Sequence, residues 1–230
     1  MKKFFYLALF IFLNACNTTK PQPQNETAKE QEKPNPCAVF SEEILDLAKQ
    51  DKYFFFPVDK KRHLPNDYAP TDLIGKGKFA VRSQTSKAFN KMAQAAKKDG
   101  VNLFILSGFR PYKRQEYLFN RSVKNRGIEH AEKYVARPGA SQHQLGTAVD
   151  ISSVEDSFVN SKEYAWLKEN ACKYGFSLSF PKGQEEKTGY SFESWHYRYI
   201  TIEGCKIQQE KFNDSQVEFL DDLNACLEQN

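Results

Sequence analysis

The stretch from Asn17 to Pro36 sets the limits of what this chain can fold into. It is built from Pro, Gln, Asn, Glu, Lys and Thr and holds one apolar residue, Ala28. Such a segment cannot bury enough surface to offset the entropy of ordering it, so it is expected to be a disordered tether. Whatever packs must lie to one side of it. On the N-terminal side, Lys2 and Lys3 precede an unbroken apolar run, Phe4 to Leu13. That run is about half of the ~20 residues a membrane-spanning helix needs, and its positive flank gives it the form of a secretory signal. On the C-terminal side, residues 37–230 have the length of one ordinary domain.

The apolar run ends in Leu13-Asn14-Ala15-Cys16, which resembles the lipobox of bacterial lipoproteins. The resemblance implies cleavage before Cys16 and lipidation of its thiol, leaving an exported lipoprotein anchored to a membrane and facing the periplasm or cell wall. Two or more acyl chains make such attachment effectively stable. The expected organisation is a signal peptide over 1–15, the lipidated Cys16 and tether over 16–36, and a folded domain over 37–230. Loss of Met1 to Ala15 removes Lys2 and Lys3, so the formal charge falls from +4 to +4 − 2 = +2. A chain this close to neutral gives no reason to expect nucleic acid as a partner.

With Cys16 committed to lipid, Cys37, Cys172, Cys205 and Cys226 remain. An even number of cysteines in an exported chain favours structural disulfides, and none of these has the C-x-x-C spacing of a metal or redox motif. Three pairings are possible, and spacing does not choose among them.

Apolar periodicity and caps predict helices over 41–52, 83–99, 114–124, 129–136, 161–174 and 215–227. Short strands are expected over 101–106, 146–152, 176–180 and 195–200, and an irregular stretch over 53–72 carries Pro57, Pro65 and Pro70. Helices come first and mix later with short strands, an α+β arrangement rather than a βαβ series.

Only four histidines occur, His63, His130, His143 and His196. His143 lies in the small, polar run Ala140 to Gly146. Asp150 follows at the centre of an apolar strand, between Val149 and Ile151, where a carboxylate is costly without a compensating partner. His196 and Arg198 share one face of a strand whose other face is Trp195, Tyr197 and Tyr199. Two histidines and an aspartate are a ligand set suited to catalytic zinc, which keeps a fourth position open for water. Such a site also needs a separate carboxylate to take the water's proton, and Glu193 is the candidate. Glu193 is an odd number of residues from His196, so a turn or bulge must bring the two together. Ser107-Gly108-Phe109-Arg110 follows a strand and places a planar cationic fork where it could meet a carboxylate or a developing oxyanion. His63 and His130 sit among charged residues and are expected to be solvated.

Taken together, Ser107 to Arg110, Ser141 to Asp150 and Glu193 to His196 resemble the S-G-x-R, S-x-H-x-x-G-x-A-x-D and E-x-W-H motifs of the VanY-like zinc D-alanyl-D-alanine carboxypeptidases, a group that includes L,D-carboxypeptidases. The likeness runs from about Leu64 to Ile200. It implies a single compact α+β domain, with a small antiparallel sheet and surrounding helices, of the hedgehog/DD-peptidase kind. It implies one zinc ion per chain on His143, Asp150 and His196, with Glu193 as base, Arg110 on the substrate and Ser141 and Gln142 lining the cleft. The substrate implied is the peptidoglycan stem peptide, cleaved by a monomeric enzyme. An endopeptidase, or a zinc-containing wall-binding module without turnover, is the alternative. The segment after Cys205 lies outside the resemblance.

Overall fold

The apolar stripes read from the sequence fall on helices that wrap one four-stranded sheet. The computed structural model describes Met1 and residues 35–229; the expected signal peptide, Cys16 and nearly all of the tether lie outside the described residues. In chain order the elements are α1 (Glu42–Gln50), β1 (Leu73–Ile74), β2 (Val81–Arg82), α2 (Ser83–Lys98), β3 (Ile105–Ser107), α3 (Tyr112–Arg126) and α4 (Ile128–Tyr134). Then come β4 (Ala148–Ile151), α5 (Lys162–Asn170), β5 (Phe176–Leu178), α6 (Glu185–Thr188), β6 (His196–Tyr199), α7 (Ile202–Phe212) and α8 (Gln216–Glu228).

The main sheet runs β3-β4-β6-β5, with every neighbouring pair antiparallel. One face is core. Val149, Ile151, Tyr197 and Phe176 pack there against Phe89, Met92 and Ala96 of α2 and Leu167 of α5. The three α2 residues are spaced as one helical stripe. The free N-terminus of α2 is met by Asp72, whose carboxylate accepts from the Ser83 amide at 3.2 Å.

A second core joins α1, α7 and α8 around Phe54, Phe55 and Phe219. A disulfide between Cys37 and Cys226 ties the start of the domain to α8. Arg198 is fully buried, and its Nη2 donates to the carbonyls of Phe54 and Phe56 at 2.9 and 3.1 Å. The irregular stretch is thereby fixed to the sheet.

Three expectations need correction. The strand expected over 101–106 is only Ile105–Ser107, because its partner β4 reaches no further than Ile151 in register; Val101 and Leu103 instead bury against α2 as extended chain. The helix α7 was not expected. Its Gly204 weakens the helical pattern, yet Thr201 caps it, accepting from the Gly204 amide at 3.0 Å. Of the four cysteines expected to bridge, Cys172 and Cys205 stay as thiols. The buried Cys205 thiol is pushed well up by burial and then by its hydrogen bond with Cys172.

Candidate active site

Antiparallel pairing sets three site residues in one row. Ser107 of β3 stands opposite Asp150 of β4, and Asp150 stands opposite His196 of β6. Directly paired residues point to the same face, here the face away from the α2 core. His143 arrives from a single 3₁₀ turn, Gln142–Leu145, that ends on Gly146 in the left-handed region at φ 71°. A Cβ on Gly146 would lie 2.9 Å from Arg82 Cγ, so the turn can run this close to β2 only with glycine.

The contacts assign the protons. His143 Nδ1 lies 2.7 Å from the Gly108 carbonyl, which can only accept, so Nδ1 carries the hydrogen. Nε2 faces Asp150 Oδ2 at 3.2 Å. Burial, and then the charge of Arg110, lower the His143 pKa to about 4, so at neutral pH its Nε2 presents a lone pair to a carboxylate oxygen. Two acceptors facing each other at this distance call for a cation between them. His196 Nδ1 lies 3.1 Å from Asp150 Oδ1. Burial alone would raise the Asp150 carboxyl, but the neighbouring His143 and His196 hold it well below the usual carboxylate range.

These geometries fit a metal. Ligand atoms of His143, Asp150 and His196 all lie within 4.8 Å of one another, and all three side chains are buried. Zinc–nitrogen bonds of ~2.0–2.1 Å place tetrahedral ligand atoms about 3.3 Å apart. The two observed His–Asp separations are close to that edge.

The turn that Glu193 requires is present. Residues 194 and 195 form it, with Glu193 held by its amide to the Phe180 carbonyl at 3.1 Å. Glu193 Oε2 comes to 3.6 Å from His196 Nδ1. Burial pushes its carboxyl up to about 7, the Asp150 charge adds to the rise, and His196 and Arg110 oppose it. Arg110 lies across the row: Nη2 is 3.6 Å from Asp150 Oδ2 and donates to Ser107 Oγ at 3.1 Å, while Nη1 donates to Gln115 Oε1 at 3.0 Å. Its guanidinium pKa is lowered by burial.

His143, Asp150, His196, Glu193 and Arg110 open into a cleft of about 500 Å³. Ser141 and Gln142 are on its wall, with Trp195, Phe180 and Tyr190. Of the two histidines expected to be solvated, His63 is exposed and near the Lys60 carbonyl. His130 differs: it is half-buried on the cleft wall, its ring 4.6 Å from Tyr134. Sequence reasoning missed the supporting groups: the Gly108 carbonyl, Gln115, Ser179 and Gln216. Their only signal is spatial, since each meets the site from a different element.

The profile of the VanY D-alanyl-D-alanine carboxypeptidases matches residues 78–202, a span that contains every residue of the row, the His143 turn and Glu193. This chain belongs to the VanY family. Among its relatives is YodJ of Bacillus subtilis, a carboxypeptidase candidate 36% identical over 177 residues, covering 70% of this chain and 64% of YodJ. A D-alanyl-D-alanine carboxypeptidase of Enterococcus faecalis is 33% identical over 158 residues, 64% of this chain and 59% of that enzyme. The chain thus spans less than two thirds of either relative. Among solved structures, the LdcB LD-carboxypeptidase superposes with a TM-score of 0.67 at 35% identity, over 72% of this chain and 84% of that one. A zinc complex of the D,D-pentapeptidase VanY from a VanB-type cassette gives 0.63 at 30%, over 73% and 99%. The α+β fold with a small antiparallel sheet is therefore that of the VanY and LdcB peptidases.

Proposed function

We propose that this protein is a zinc carboxypeptidase that removes the C-terminal D-amino acid from peptidoglycan stem peptides. The observation that carries the reading is the buried convergence of His143 Nε2, His196 Nδ1 and the Asp150 carboxylate, with Glu193 beside them at the floor of a cleft. The zinc-bound state of the VanY relative supports the choice of metal. A zinc ion held there supplies Lewis acidity and lowers the pKa of bound water to about 7.

The chain's own residues supply the rest. Glu193, with a carboxyl raised towards neutrality by burial, takes a proton from the attacking water and returns it to the leaving amine. Arg110 is braced by Ser107 and Gln115, so its fork is aimed before substrate arrives; it engages the scissile carbonyl or the terminal carboxylate. Ser141 lines the wall where the peptide enters. The Asp150 and His143 contacts fix the ligand geometry without substrate.

Likeness to LdcB supports L,D-cleavage of tetrapeptides, and likeness to VanY supports D,D-cleavage of pentapeptides. The lipobox and tether support a site of action outside the cytoplasm, on a lipid anchor at Cys16; among the described residues no helix is long and apolar enough to cross a membrane. The test is digestion of defined muropeptides with mass analysis of the products. Release of D-alanine from penta- or tetrapeptides, lost with chelator and restored by zinc, is the expected result. Glu193→Gln should bind zinc and turn nothing over. Cleavage only within cross-links would establish the endopeptidase instead. Zinc-independent peptide binding without hydrolysis would sink the enzyme reading.

A further inference from the structure

A hydrogen-bonded chain reaches His196 from α8, outside all three motifs and outside the matched span 78–202. It starts at the Ser177 carbonyl of β5, which lies 3.4 Å from Gln216 Nε2. A carbonyl only accepts, so Gln216 is held with its NH₂ towards Ser177 and its oxygen away. That oxygen accepts from Gln142 Nε2 at 3.2 Å. Gln142 is thereby turned with its own oxygen towards the site. There it accepts from the Ser179 hydroxyl at 2.7 Å and lies 3.2 Å from His196 Nε2. Reversing both amides would set two oxygens face to face at Ser177, in a place where Gln142, Ser179, Gln216 and His196 are all buried.

The consequence falls on the imidazole. An amide oxygen cannot donate, so Nε2 of His196 carries the proton and Nδ1 keeps its lone pair. Without that constraint the ring has a strong reason to choose the other tautomer. Asp150 Oδ1, 3.1 Å from Nδ1, would accept an Nδ1–H and occupy the atom that must face the metal.

We propose that Gln216 is a positioning residue for the metal centre: acting through Gln142, it fixes the tautomer and tilt of His196. The C-terminal helix is then a working part of the site as well as a cover for the second core. The proposal rests on the reading that His143, Asp150 and His196 hold zinc. The Cys37–Cys226 disulfide anchors the same helix to the start of the domain.

The test uses Gln216→Met, Gln142→Met and their double variant in the full chain. Long-range ¹H–¹⁵N spectra of metal-free protein read the His196 tautomer directly. Competition with a chromophoric chelator reads zinc affinity. Wild type should show Nε2–H, and both Met variants should show a new Nδ1–H population. Gln142→Met should weaken zinc by about 10–100-fold, as loss of a metal ligand's hydrogen-bond partner does. Gln216→Met should weaken it by about 3–10-fold, and the double variant no more than Gln142→Met alone, because one residue acts through the other. A Gln216→Met protein that loses thermal stability but keeps the wild-type tautomer and zinc affinity overturns the proposal, as does an additive double variant. Wild-type protein that takes up no zinc overturns the metal reading itself, and the tautomer spectra separate that failure from failure of the relay.

Discussion

Glu193 is held in the wrong environment for a carboxylate, and that should be measurable as stability. The perturbation is Glu193→Gln in protein kept metal-free with chelator. In the folded chain burial raises the Glu193 pKa from 4.5 to about 7. At about 1.4 kcal/mol for each pH unit between those values, the ionised side chain costs the native state about 3 kcal/mol. The side chain is 22% exposed, so this is an upper figure. The sign follows from the direction of the shift. Below pH 4.5 the carboxyl is neutral in both folded and unfolded chains, and Glu193 contributes no penalty. Between 4.5 and 7 the unfolded chain ionises while the folded chain resists, so wild type loses stability as pH rises. Above 7 the loss is complete. Glutamine does not titrate. The stability of Glu193→Gln relative to wild type should therefore climb by about 3 kcal/mol between pH 4.5 and 8 and then level off. Urea unfolding at a series of pH values, followed by tryptophan fluorescence, reads this difference. A difference that is flat across that range would refute the claim that burial has raised this carboxyl. Addition of zinc should shrink the gap, since a cation beside Glu193 favours its charged form.

Other perturbations separate support from chemistry. Gly108→Ala puts a Cβ 2.4 Å from the Ala80 carbonyl and 2.7 Å from Val81 Cγ1, so it should cost about 1–3 kcal/mol and loosen zinc by displacing the carbonyl that orients His143. Gly183→Ala, with nothing within 4 Å, should leave zinc affinity unchanged, and equal effects of the two on zinc would count against the orienting role. Arg110→Lys loses the fork shared by Ser107 and Gln115, and kcat/KM on a stem peptide should fall about 100-fold with zinc content intact. Replacing Cys37 and Cys226 by serine opens a closure across 189 residues and should cost up to about 5 kcal/mol of unfolding free energy; a loss under about 1 kcal/mol would show that α8 is held by packing alone.

Much of the site was legible because its signal is local. His143 and Asp150 belong to one short motif, in which the turn ending on Gly146 and the apolar run around Asp150 each show in the residue types. His196 was legible from alternation, since the aromatic residues Tyr197 and Tyr199 take the core side and leave His196 the other. The α2 stripe and the Ser161 cap were equally plain, the latter accepting from the Tyr164 amide as a serine at that position should. Strand length was not. Where β3 begins depends on the residues of β4 opposite it, and nothing within 101–106 records that. The helix α7 was hidden because Gly204 and alternating polarity blur its stripe; its burial against α8 and the turn at residues 171–174 makes it stable.

The sequence by itself determined which residue types are offered as ligands, their order and the need for a bend after Glu193. Tertiary structure alone decided which atoms meet. Register placed Ser107, Asp150 and His196 in one row, burial raised Glu193 and lowered His143, and folding brought Gln216 beside Gln142 across 74 positions. The physical reason is that residue type fixes what a group can donate, accept or ligate. Which partner it finds, and how far its proton affinity moves, is fixed by neighbours that come from distant parts of the chain.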